Sequence, residues 1–211
     1  MTETTSLPLF LLSVIAISLT GALMPGPVTA VTITKGAHHR AAGALVAVGH
    51  GLIEIPLIVL MYFGLARFLE YPEVKIAVGI VGGAVLVWMG VQMFRSTPTV
   101  LGERTENTHN SVLAGLTLTA ANPYFFVWWA TVGAALLVSA SEFGAAGVAA
   151  FGVAHWLCDF AWLFLISWVV YKSRRLWTSK VNRVVFGLCS AILGGFGIWF
   201  IVSGITLAVS G

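Results

Sequence analysis

The charged residues of this chain lie in clumps, separated by long stretches that have none. No Asp, Glu, Lys or Arg occurs between Glu3 and Lys35, between Lys75 and Arg95, between Glu106 and Glu142, or after Arg183. Between Arg40 and Arg67 the single charge is Glu54, and between Glu142 and Lys172 it is Asp159. A bilayer-spanning helix needs roughly 20 mostly apolar residues at about 1.5 Å each. Six such segments fit, at about 10–34, 42–66, 75–95, 111–138, 144–171 and 183–208. With 58% hydrophobic and 9% charged residues over 211 positions, a compact soluble domain could not clothe its surface. The pattern predicts an all-α polytopic membrane protein, a single transmembrane domain over 1–211 with no room for an extramembrane one.

The stretch before the first segment carries no Lys or Arg, and no small-residue cleavage site follows the apolar run, so this segment is expected to stay as a span. Cys158 and Cys189 fall inside spans five and six without a C-x-x-C motif, which predicts buried thiols rather than a disulfide framework or a zinc site. The net charge of +3 reflects loop cations, not a basic face for nucleic acid. With the N-terminus outside, the inner loops hold Lys35, Arg40, Arg95, Arg104, Lys172, Arg174, Arg175, Lys180 and Arg183, against Arg67 and Lys75 outside. The positive-inside bias then predicts both termini outside. The basic stretch from Lys172 to Arg183 is expected to meet anionic lipid. No nucleophile–base motif or phosphate loop stands out, so neither an enzyme nor a resident cofactor is expected.

The six spans split into two sets of three, 10–95 and 111–208, that resemble each other locally. Span two reads Gly49-His50-Gly51-Leu52-Ile53-Glu54 and span five Ala154-His155-Trp156-Leu157-Cys158-Asp159. A helix breaker, Pro25-Gly26-Pro27, interrupts span one, and Asn122-Pro123 interrupts span four. Spans three and six each carry a glycine pair, Gly82-Gly83 and Gly194-Gly195. Because each set has an odd number of spans, the second enters the membrane upside down. Inverted repeats with broken helices meeting near midplane are a recurring transporter plan.

In the interiors of the spans the acids, bases and imidazoles are His50, Glu54, His155 and Asp159. Each acid follows its histidine by four residues, so the two share a helix face about 6 Å apart along the axis. A charge at such depth costs on the order of 3 kcal/mol even on lenient insertion scales. A two-fold axis in the membrane plane would bring His50 to the depth of Asp159 and Glu54 to that of His155. Helix axes roughly 8–10 Å apart then permit cross-helix His–carboxylate pairs at the protein centre. Such pairs can gain and lose a proton or bind a cation; the bland alternative is interhelical glue, which is usually Ser, Thr, Asn or Gln.

Pro25-Gly26-Pro27 cannot continue a regular helix, and Asn122-Pro123 reads as a cap followed by proline at the first helical position. A half-helix starting at Asn122 would aim its N–H groups at the membrane interior, where a carboxylate can bind; a simple kink is the alternative. Pro56 frees the Leu52 carbonyl beside Glu54, for a cation or for water. The run Tyr124-Phe125-Phe126-Val127-Trp128-Trp129 either walls a cavity or packs in the core. Gly79-x-x-x-Gly83 permits close helix approach inside the monomer or at a homodimer seam. His38-His39-Arg40, in an inner loop, is expected to face solvent or headgroups rather than a metal.

Met24-Pro25-Gly26-Pro27, the glycine-spaced second span and Asn122-Pro123 opening the fourth resemble the lysine-exporter (LysE/RhtB) family over most of the chain. The resemblance implies a prokaryotic inner-membrane exporter of amino acids or related metabolites driven by the proton gradient. Val28 after Pro-Gly-Pro and Tyr124 after Asn-Pro depart from the family's more usual polar residue and lysine. The paired His-x-x-x-acid motifs are also not expected of its amino-acid exporters. The wider superfamily includes metal exporters and thiol-redox carriers. The expected partners are therefore protons, membrane lipid and a small-molecule substrate. In that reading Glu54 and Asp159 bind the substrate ammonium or a proton, His50 and His155 relay the proton, and Pro25, Gly26, Pro27, Asn122 and Pro123 form the substrate break. A divalent cation held by His50, Glu54, His155 and Asp159 is the alternative.

Overall fold

The computed structural model describes residues 6–65, 71–95 and 109–210. Its elements are helices: α1 (Leu7–Ala22), α2 (Pro27–Gly36), α3 (Ala42–Leu60), α4 (Pro72–Arg95), α5 (His109–Ala120), α6 (Pro123–Trp128), α7 (Ala134–Ser141), α8 (Gly144–Ser173) and α9 (Ser179–Ser210). A π-helical turn, Met61–Leu65, extends α3, and another, Trp129–Gly133, joins α6 to α7. Among the described residues, five helices are long and apolar enough to cross a membrane, and a sixth span results when α1 and α2 are taken together. The chain is thus a multi-pass, all-helical membrane protein.

The proline breaks act where their chemistry requires. Pro27 and Pro123 each occupy the first turn of a helix, where a missing N–H costs nothing. The chain turns 79° between α1 and α2. The second break falls between α5 and α6, and Pro123–Ser141 is by itself long enough to span. Pro56, by contrast, leaves α3 unbroken and lies on its exposed face, and neither it nor Leu52 lines the central cavity. Of the cations behind the orientation argument, Arg67 and Arg104 lie outside the described residues.

The helices pack around one central pair. α3 faces α8 at the centre; α5 lies on α3 as α1 lies on α8; α4 pairs with α9 along their length. Small residues permit these approaches: a Cβ on Gly83 would meet the Gly197 carbonyl oxygen at 2.5 Å, and one on Gly79 the Phe200 carbonyl oxygen at 3.2 Å. The Gly79-x-x-x-Gly83 face is therefore used within the chain, against α9. The glycine pairs are not equivalent, since added Cβ atoms on Gly194 and Gly195 would meet nothing within 4 Å.

Burial is inverted relative to a soluble protein. Leu12, Phe63, Trp88 and Ile198 are exposed, whereas Ser18, Thr32, Glu54, Thr119 and Ser167 are fully buried. Apolar surface facing lipid loses nothing there, while polar groups in lipid find no water and so turn inward. Cys158 and Cys189 are free thiols in the interior, as their apolar surroundings predict.

Candidate functional site

α3 and α8 bring all four intramembrane ionisable residues to one point. Glu54 Oε1 lies 3.2 Å from His50 Nε2 on its own helix and 3.0 Å from His155 Nε2 on α8. Asp159 Oδ2 stands farther off, 3.5 Å from His155 Nε2 and 3.8 Å from His50 Nε2. The i, i+4 spacing puts each pair on one face, and the facing of α3 and α8 merges the pairs into a single cluster. The cross-helix contacts are Glu54–His155 and, more loosely, Asp159–His50. Glu54 has no exposed surface.

When Glu54 is ionised it only accepts hydrogen bonds, so each Nε2 facing it then donates its N–H. The opposite ring nitrogens meet hydroxyls: His50 Nδ1 lies 2.9 Å from Thr119 Oγ1 on α5, and His155 Nδ1 lies 2.7 Å from Ser18 Oγ on α1. Each imidazole is thus held between the acid cluster and a hydroxyl on the helix preceding a break. Two carboxylate oxygens, Glu54 Oε2 and Asp159 Oδ2, are buried without a hydrogen-bond partner. A buried carboxylate oxygen without a hydrogen bond is costly and calls for a donor or a cation.

These groups line a cavity of about 80 Å³. Of the residues predicted from sequence, His50, Glu54, His155, Asp159, Pro25, Gly26 and Asn122 line it. Pro27 and Pro123 do not; they sit just behind the wall and shape the helix starts, with Pro123 against Gly82. The aromatic run divides in the same way. Tyr124, Phe125, Trp128 and Trp129 line the cavity, and Phe126 is exposed. Trp128 stacks on His155 at 4.7 Å between ring centroids, Trp129 meets that ring edge-on at 5.1 Å, and Phe125 meets His50 at 5.3 Å. These rings exclude water from one side of each imidazole.

Sequence reasoning did not find Ser18, Thr119, Val28 or Thr29, all at the site. A hydroxyl on the helix ahead of each break was the available signal for the first two, but Ser and Thr recur throughout these spans. As a donor set, His50, Glu54 and Asp159 offer ligand atoms within 4.8 Å of one another, so the cluster can receive a proton, an ammonium group or a metal ion.

The chain is similar over most of its length to the following proteins. The "Chemotactic transduction protein ChpE" of Pseudomonas aeruginosa is 28% identical over 181 residues, 81% of this chain and 87% of that protein. YcgF of Bacillus subtilis, whose name offers amino acid efflux as its proposed role, is 24% identical over 206 residues, 92% and 96% of the two chains. No solved structure matches. The model of the LysE type translocators matches residues 19–204, which takes in both breaks and all four ionisable residues. The multi-pass helical architecture, the paired breaks and this match agree: the chain belongs to the LysE type translocator family, and it is an exporter by membership.

Proposed function

We propose that the chain is a secondary exporter of amino acids or related small metabolites that works by proton antiport. The observation that carries this reading is the convergence of two imidazoles, from two different helices, on one buried carboxylate oxygen in a cavity bordered by both helix breaks. The cluster balances one charge against another. When the imidazoles are protonated, their charge faces Glu54 and Asp159. When a substrate ammonium lies against the same carboxylates, that positive charge replaces the protons. Substrate and proton compete for one pair of acids, and this exclusion couples their opposite movements.

In this reading His50 and His155 relay the proton, Glu54 and Asp159 hold it or the ammonium, and the breaks at Pro25-Gly26-Pro27 and Asn122-Pro123 border the substrate. The halves 10–95 and 111–208 act as inverted repeats that rock about the cluster. The family resemblance implies a prokaryotic inner membrane, and the loop charges favour both termini outside. In proteoliposomes, outward substrate movement should drive inward proton flux, and Glu54→Gln and Asp159→Asn should each abolish it. Flux unchanged in both variants would refute the assigned roles.

The 4.8 Å grouping of His50, Glu54 and Asp159 favours a second reading, export of a divalent cation. Purified protein would then retain a stoichiometric metal ion and lose it in His50→Ala. Metal-free protein that exchanges amino acid for protons decides for the first.

A further inference from the structure

The lining of the central cavity carries two sets of groups of opposite chemistry. In one, Glu54 Oε2 and Asp159 Oδ2 are buried without a hydrogen bond, Asp159 Oδ2 keeping only its longer contacts to the two imidazoles. In the other, α2 begins at Gly26, which supplies no side-chain cap. The first helical hydrogen bond there runs from the Ala30 N–H to the Gly26 carbonyl at 2.9 Å. That leaves the N–H groups of Val28 and Thr29, two residues that line the cavity, among the orphan donors of a helix start. The other break is closed. Asn122 Oδ1 accepts the Tyr124 N–H at 3.2 Å, and the Asn122 carbonyl accepts the Phe125 N–H at 3.1 Å. An anion therefore finds free donors at α2, not at the α6 start that the sequence favours. Trp129, 1% exposed and also lining the cavity, keeps an indole N–H without a partner.

We propose that this cavity is a two-ended site for a small zwitterionic amino acid, its carboxylate received at Gly26–Thr29 and its ammonium between Glu54 and Asp159. This rests on the amino-acid exporter reading and narrows it. A helix N-terminus favours an anion through its dipole as well as its N–H groups. The cavity is small, about 80 Å³, which favours the smaller amino acids.

Gly26 supplies the test. Its backbone, φ −147° and ψ −171°, is extended and open to any residue, and an added Cβ meets nothing within 4 Å. Gly26→Asp should fold, because Asp is a favoured N-cap, while its carboxylate occupies the anion end. Binding of radiolabelled L-alanine to purified protein is measured, with competition by propylamine, propionate and L-tryptophan. Wild type should bind L-alanine far better than either half-molecule and exclude L-tryptophan. Gly26→Asp should lower L-alanine affinity about tenfold or more, the scale of a lost charge-assisted hydrogen bond, without lowering propylamine affinity. Gly26→Asn, capped but uncharged, should lose less. An L-alanine affinity unchanged in Gly26→Asp would overturn the two-ended site and leave the exporter reading standing. A wild-type protein that binds and exports no amino acid of any size would overturn both.

Discussion

Ser18 and Thr119 hold the two imidazoles from behind, and their placement fixes which ring nitrogen faces the acids. A hydroxyl both donates and accepts, so it can bond Nδ1 of a neutral ring and receive N–H from a charged one. Thr119→Val keeps the shape but strands His50 Nδ1, and Ser18→Ala strands His155 Nδ1. Each should lower stability by about 1–3 kcal/mol, the cost of an unsatisfied buried polar group, and slow transport. Thermal unfolding in detergent and counterflow uptake check the two effects. The four ionisable residues were legible in the sequence because charge in a bilayer is expensive, so few survive and each stands out against an apolar run. The hydroxyls behind them were not. Ser and Thr cost little inside a membrane helix, and most of them here bond their own backbone, as Thr32 does to the Val28 carbonyl at 2.8 Å.

The breaks and the helix-packing glycines belong to the scale of elements. Proline forbids continuation wherever it lacks a first-turn position, so Pro25-Gly26-Pro27 and Asn122-Pro123 announced where α2 and α6 begin. Pro56 shows the limit of that rule, since a membrane helix can carry a proline on its outer face without breaking. Which glycines matter was less legible, because close approach depends on the partner helix. Gly83 abuts the Gly197 backbone while Gly195 faces open space. Gly83→Ala should therefore destabilise the α4–α9 pair by about 1–3 kcal/mol through overpacking. Gly195→Ala should stay within about 0.5 kcal/mol. Melting of the two detergent-solubilised variants, compared side by side, checks this, and equal melting would contradict the assigned packing.

At the scale of the whole molecule, the two halves place equivalent motifs on facing helices, and the site exists only where they meet. Neither half alone holds a carboxylate touched by two imidazoles; Glu54 from the first needs His155 from the second. In the proposed antiport, a site shared by both halves couples proton and substrate when one half rocks against the other. The apolar membrane-crossing helices could be read from charge-free runs. The distances that merge two pairs into one cluster arise only from packing α3 on α8. The most direct measurement is the number of protons released when L-alanine is added to purified protein in weakly buffered detergent, read with a pH indicator. The account predicts saturable release in wild type that disappears in Glu54→Gln. Saturable L-alanine binding with no proton released would contradict it.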